Sequence, residues 1–481
     1  MTIVLTILLY FSALYAFSLV VGGRKTDTND TFFRGNKRSP WYMVAFGMVG
    51  ASISGVTFIS VPGMVMKMDM TYLQTCIGFI LGYVAVAFVL LPVYYRNNLT
   101  TIYSYLDTRL GTEAYKTGAW FFLLSKMTGA AVRFYVVCMI LHDFVLAATG
   151  IPFWTTTLVM ILLIWLYTFR GGIRTLVWTD TFQTTCLIVA LLLIIYNVTQ
   201  ALGMDIHTAW EAVAGSDMSR VWEFDPISRQ YFWKQFLSGI FIVIVMTGLD
   251  QDMMQKNLTC KSLREAQKDM CTYGLAFVPV NALFLGLGVL LVMLAGKEGV
   301  DLPVQGDMLL PMFTASGSMG ETVMVLFTIG VVAASFSSAD SALTALTTSF
   351  CVDIIGKSED VRIRRCVHLS LCVIFFVLIL LFSAVNTTSV IDAIYTICSY
   401  TYGPLLGLFA YALLTKRKPW GRAVAWIALA SPLLCYAIDR GASEIWDYHF
   451  GYELLMLNGL LTFTGLHFSR YIQKVAFQTP S

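Results

Sequence analysis

The sequence predicts an all-α polytopic membrane protein, and three observations carry that reading. Of its 481 residues, 57% are hydrophobic and 13% charged, against about 25% charged in an ordinary soluble domain. Long apolar runs, each sufficient for a helix that crosses a bilayer, recur along nearly the whole length. Lys and Arg gather in alternate gaps between those runs, as the positive-inside rule expects of a chain that crosses repeatedly.

Thirteen spans are expected: 2–22, 41–66, 72–96, 117–147, 152–170, 176–201, 231–250, 271–296, 321–352, 363–385, 390–414, 421–438 and 452–470. No basic region precedes the first, which runs straight into Gly22, Gly23, Arg24 and Lys25, so it reads as a retained helix rather than a signal peptide. One set of gaps holds 24 of the 32 Lys and Arg, including Arg24, Lys25, Arg170, Arg174, Lys256 and Arg364; the other set holds six. An odd number of crossings fits that bias, with the N-terminus outside and the C-terminus in the cytoplasm of a cell membrane.

Residues 1–481 read as one transmembrane domain. The gaps 202–230 and 297–320 are acidic and modest in size, and no GxxxxGK[ST] loop is present to cradle a nucleotide phosphate. Energy for any transport then comes from an ion gradient or from the solute. The ten Cys form no CxxC or Cys/His cluster, and the five His are scattered, so nothing suggests a transition-metal site.

Within the second span, residues 50–63 read GASISGVTFISVPG. Three glycines, three serines and a proline suit a continuous helix poorly. Either the helix unwinds and lends carbonyls to a cavity, or it merely kinks against a neighbour. The seventh span has a comparable weak point in TGLDQDMMQKNL, residues 247–258. These spans lie five apart, so one leading helix (2–22), two inverted five-helix halves (41–201 and 231–414) and two trailing helices (421–470) account for the chain. Interrupted helices at matching places in two such halves mark a secondary transporter's binding site.

The ninth span carries VVAASFSSADSALTALTTSFCVD, residues 331–353, in which Ala334, Ser337, Ser338, Ser341, Ala345 and Thr348 form one stripe on a helix, beside Asp340. It suits either a close helix–helix interface or a row of hard oxygen ligands. In the fourth span Lys126 and Arg133 share a face. Arg133 falls roughly 25 Å along its helix, near the midplane of a ~30 Å core. It is expected to pair with Asp143 or Asp180, or to contact an anionic solute. Asp180, in TFRGGIRTLVWTDTFQ, is expected to pair with Arg170 or Arg174, or to serve as a cation ligand.

Four segments, GASISGVTFISVPG, GGIRTLVWTDTFQ, DQDMMQKNLTCKSLREAQK and AASFSSADSALT, together resemble the sodium/solute symporter family. That family includes sodium/glucose, proline, pantothenate, iodide, monocarboxylate and sialic acid carriers. The resemblance spans about residues 1–440 with the segments in family order. It implies the leucine-transporter-type 5+5 inverted-repeat fold, with Na+ as coupling ion. By motif, the carbonyls of Gly50, Ile53 and Ala334 and the hydroxyls of Ser337 and Ser338 would hold that ion. A second site seen in some members would use Asp180, position 340 and Ser341, but Asp340 stands where a hydroxyl is expected. A second Na+, or a proton shared by Asp180 and Asp340, is the resulting expectation.

The same resemblance puts the solute near Thr57 and near Tyr72, Gln74 and Cys76, with Tyr395 and Tyr400 as candidate aromatic gates. Sugar-transporting members resemble one another in Gln and Glu where this chain has Thr57 and Cys76, which argues against a neutral hexose. With Arg133, that tilts the expectation toward a carboxylate-bearing solute or sugar acid. The expectation is thus a sodium-coupled symporter of a small organic solute, monomeric in the lipid bilayer, with no role in nucleic-acid binding and no enzymatic constellation. A proton-coupled carrier of the same fold is one alternative. A transporter-derived sensor is another, although about a dozen residues follow the last span, too few for a signalling domain.

Overall fold

The computed structural model describes residues 2–22, 28–146, 150–315, 320–357, 359–385, 390–448 and 450–478. Arg24 and Lys25 lie outside the described residues, as do the side chains of Arg170 and Tyr395. The chain opens with α1 (Thr2–Gly22), the short α2 (Asn29–Arg34), and then α3 (Trp41–Ser52) and α4 (Gly55–Met68). It continues through α5 (Tyr72–Ala85), α6 (Leu91–Arg96), α7 (Ser104–Leu110), α8 (Thr112–Ile140), α9 (Phe153–Leu202) and α10 (Ile206–Ala214). Next come α11 (Phe232–Val243), α12 (Gln251–Asn257), α13 (Leu263–Glu298), α14 (Leu309–Ala315) and α15 (Gly320–Ser349). Last are α16 (Val361–Val385), α17 (Val390–Leu414), α18 (Gly421–Trp446) and α19 (Leu454–Gln478).

Among the described residues, seven helices are long and apolar enough to cross a membrane, or up to nine if each bent pair counts as one span. The bent pairs fall where the sequence reads weakest. Helices α3 and α4 meet at 61°, and the helix Phe232–Gly248 meets α12 at 70°. A bilayer tolerates such breaks only where protein or a cavity receives the freed backbone groups.

Helix α9 covers two apolar stretches in one run, turning at Gly172 with φ 49° and ψ −142°. A Cβ there would press on the Phe32 ring and backbone, so both the dihedral and the packing call for glycine. Small residues also bring helices together elsewhere: Gly78 lies on the Phe236 carbonyl and Gly239 on that of Thr75, joining α5 to α11.

Helix α15 is the centre of the bundle, packed against α9, α8, α4, α16 and α3. From Val331 to Ser349 every residue is buried except Ser338. A helical stretch apolar or small on all sides belongs inside, and residues 331–349 have a single wetted position. The periphery shows the opposite pattern, with Leu8, Val20, Phe88, Leu381 and Leu433 exposed as lipid-facing surface.

Candidate functional site: a broken helix against a hydroxyl stripe

The break between α3 and α4 runs through Ile53 (φ −79°, ψ 80°) and Ser54 (φ −69°, ψ 167°). The amide of Ile53 still reaches the Val49 carbonyl at 3.0 Å, and Ser54 accepts from the Phe58 amide at 3.1 Å. Between them, none of the backbone hydrogen bonds outside the helices of the described residues ends on the carbonyls of Gly50, Ala51, Ser52 or Ile53. Buried carbonyls left open in this way need water or a cation. Gly50 is pressed onto α9, where a Cβ would overlap the Thr184 hydroxyl, so the break is held at a fixed depth.

Helix α15 supplies the facing wall. Gly55 abuts the Ser335 hydroxyl, and Gly330 receives the Phe58 ring. Ser337 donates to Asp180 Oδ1 at 2.7 Å, which leaves its oxygen lone pairs free to accept a cation. Ser338 lines the same cavity as Ala51, Ser52 and Ser54. Ala334 and Ile53 are fully buried. Neutral carbonyl and hydroxyl oxygens are hard donors that suit a monovalent cation such as Na+. The donor set therefore fits the expected ion on the chemistry of the unpaired carbonyls and the aimed hydroxyl.

Asp180 departs from expectation. It pairs with Lys256, Nζ to Oδ2 at 2.8 Å, with both side chains about 1% exposed, and not with Arg174; the Arg170 side chain lies outside the described residues. The two atoms meet off the axis of an aligned hydrogen bond, so this is a charge contact. The charge pattern places Lys256 among the loop charges, but α12 folds it into the core. Arg364 is likewise buried, its guanidinium 4.6 Å from the Phe32 ring. Asp340 is fully buried; its Oδ2 accepts from the Tyr167 hydroxyl at 2.6 Å and its Oδ1 from Ser341 at 3.2 Å.

Beside the break lies a cavity of about 130 Å³, several times the ~10–15 Å³ that one water needs. Thr57, Tyr72 and Arg133 are on its wall, together with Lys126, Asp250, Asp252 and Tyr402. Lys126 Nζ lies 3.1 Å from Asp250 Oδ2 and 2.7 Å from Asp252 Oδ2. The Tyr402 hydroxyl donates to the same Asp250 oxygen at 2.6 Å. Arg133 does not pair with Asp143, which meets His142 at 2.6 Å, or with Asp180.

Several expected solute residues sit elsewhere. Gln74 is tied to the Gln230 carbonyl at 2.9 Å and to the Glu223 amide at 3.2 Å, so it clamps the gap after α10. Cys76 is fully buried and lies off the cavity wall. Tyr400 reaches Asp439 on α18 at 3.3 Å, facing away from the cavity, and the Tyr395 side chain lies outside the described residues. Sequence reasoning missed Asp250, Asp252, Tyr402 and Tyr167 as site residues. The acids were visible in TGLDQDMMQKNL, but only as a sign of unwinding.

Comparisons with known proteins identify the family. The family model for the sodium:solute symporter family matches residues 32–423. A sodium-coupled monocarboxylate transporter 2 of Bos taurus is 26% identical over 459 residues, 90% of this chain and 72% of that one. A sodium/sialic acid symporter of Aliivibrio fischeri is 24% identical over 465 residues, 92% of this chain and 88% of its own. In fold, the chain is similar to a Na+-coupled sialic acid symporter in a substrate-bound outward-open state, with a TM-score of 0.81 at 19% identity and 97% of both chains covered. A nucleobase-cation-symport-1 family transporter in a closed conformation gives 0.57 at 13% identity over 94% of this chain and 96% of that one. Carrying an unpaired break, a hydroxyl stripe and this family's pattern over most of its length, the chain belongs to the sodium:solute symporter family, multi-pass membrane transporters that couple solutes to Na+.

Proposed function

We propose that the protein imports a small carboxylate-bearing solute, such as a sugar acid or monocarboxylate, with Na+ by alternating access. Arg133 carries this reading. It lines the cavity, and among the described residues no carboxylate lies within ion-pair distance of it. Lys126, on the same wall, is matched by two acids. The guanidinium is half-buried and faces the cavity without a counter-ion, so a carboxylate on the solute would complete the site. The relatives named for monocarboxylates and sialic acid both handle carboxylates, which supports the choice.

Sodium would bind through Gly50, Ile53, Ala334, Ser337 and Ser338. Such an ion bridges the α3–α4 break and α15, so it favours the arrangement in which those elements meet. The Thr57 and Tyr72 side chains stand beside that bridge, where solute and ion stabilise the same state. The architecture proposed is thirteen crossings in one domain of 1–481. A leading helix (2–22) and two trailing helices (421–470) flank inverted halves at 41–201 and 231–414. The chain works as a monomer in the plasma or inner membrane, N-terminus outside and C-terminus cytoplasmic. The charge alternation and the two broken helices support that arrangement.

Uptake of labelled acids by proteoliposomes under an inward Na+ gradient tests the reading. Arg133→Ala is expected to abolish uptake and Arg133→Lys to retain part of it. Unchanged acid uptake in Arg133→Ala would overturn the proposed solute class.

A further inference from the structure

The Asp180–Lys256 pair is a buried feature that the proposed cycle leaves unexplained. Lys256 Nζ lies 2.8 Å from Asp180 Oδ2, and neither side chain is more than about 1% exposed. Asp340 lies one helical turn beyond Ser337, which donates to the other oxygen of Asp180 at 2.7 Å. Yet among the described residues no three His, Cys, Asp or Glu side chains converge on a common metal position.

The neighbours fix Lys256 in place. On α12, Gln255 donates to the Phe33 carbonyl and to Thr348, each at 2.9 Å, and Asn257 donates to the Ala266 carbonyl at 3.0 Å. Asp250 caps the helix by accepting from the Asp252 amide at 2.9 Å. The lysine enters from a rigid turn and is not a mobile side chain that swings in by chance. Asp340, meanwhile, has both oxygens engaged by Tyr167 and Ser341.

We infer that Lys256 is a tethered cation holding the Asp180 carboxylate that a second transported Na+ would need, so that one Na+ moves per cycle. A carboxylate in the core demands a positive partner, and here the chain supplies it covalently. A free ion at the same oxygens would face the ammonium at close range in a medium of low dielectric, where like charges repel strongly. Asp180 is then a positioning residue for the first ion: held by Lys256 on one oxygen, it orients Ser337 with the other. The inference rests on the first-site reading above.

Direct 22Na+ binding to the purified full-length protein, with the Hill coefficient of Na+-driven uptake, tests both and tells them apart. The wild type is expected to bind one Na+ per chain with a Hill coefficient of 1, and two bound ions would overturn the inference. No saturable binding would instead sink the first-site reading. Lys256→Met is expected to bind two Na+ per chain and to become stable only at high Na+. Retention of one ion, or no recovery of the fold as Na+ replaces N-methylglucamine, counts against the tethered cation. The charge-balanced Asp180→Asn/Lys256→Met double variant is expected to return to one ion per chain, and a second ion there would also overturn it.

Discussion

Adjacent hydroxyls at the proposed sodium site make separable predictions. Ser338 makes no hydrogen bond among the described residues and faces the cavity, whereas Ser337 donates to Asp180 at 2.7 Å. Ser338→Ala therefore removes a cation ligand and little else. By analogy with hydrogen bonds to charged groups, losing it costs the bound ion about 1.5–3 kcal/mol, roughly 10–150-fold in Na+ affinity. Without Na+ the variant stays within about 0.5 kcal/mol of the wild type, as for other substitutions that break no packing. Ser337→Ala weakens Na+ binding too, but it also leaves a buried carboxylate oxygen without its donor, costing about 1.5–3 kcal/mol even in sodium-free buffer.

Thermal unfolding measured against Na+ at constant ionic strength separates the two. By linkage, an ion at 100 times its Kd stabilises by ~2.7 kcal/mol. A 100-fold loss of affinity at the same concentration leaves ~0.4 kcal/mol by that relation. Ser338→Ala should flatten the Na+ dependence and keep the sodium-free midpoint; Ser337→Ala should lower both. An unchanged Na+ response in Ser338→Ala would remove the α15 hydroxyls from the ion site.

Lys126→Met leaves Asp250 and Asp252 buried without their cation and should destabilise by about 3–5 kcal/mol, recovering in part when both acids become Asn. Gly50→Ala pushes a methyl into Thr184 and should cost about 1–3 kcal/mol, partly relieved by Thr184→Ala. Gly172→Ala meets both the left-handed φ and the Phe32 ring, so expression and thermal midpoint should fall by at least the ~1–3 kcal/mol of such strain. Denaturant or thermal unfolding in detergent checks all three.

The helix breaks were legible because their residues are poor helix formers at a depth where the helix should be strongest. The α15 stripe was legible for a related reason: small and hydroxylated residues within an apolar run have to face protein. Partners were harder. Lys256 looked like one more positive-inside charge, because that count treats every basic residue between spans as solvated. The 70° bend before α12 carries it inward instead, and no local pattern announces a bend's direction. Tyr400, one of the two candidate gates, misses the cavity on helical phase. Residues two apart point to different faces of a helix, so when Tyr400 faces α18, Tyr402 turns to the cavity. Sequence period identifies the faces and leaves open which neighbour each meets.

The two breaks also differ in use. At the second, the Gly248 carbonyl accepts from the Tyr94 hydroxyl and the Leu249 carbonyl from that of Tyr103, each at 2.9 Å. Both phenols are fully buried. A carbonyl held by a neutral donor is already satisfied and offers little to a cation. Among the described residues the first break has no such donors and faces hydroxyls instead, which supports the proposal that the ion binds at α3–α4 and that the second break is a structural joint bearing Asp250 and Asp252. Tyr103→Phe should accordingly leave a buried carbonyl unpaired at a cost of about 1–3 kcal/mol while the Na+ half-saturation of uptake stays put. A Na+ shift in Tyr103→Phe as large as that of Ser338→Ala would mean that the second break holds the ion as well, and the division of roles between the two halves would fall.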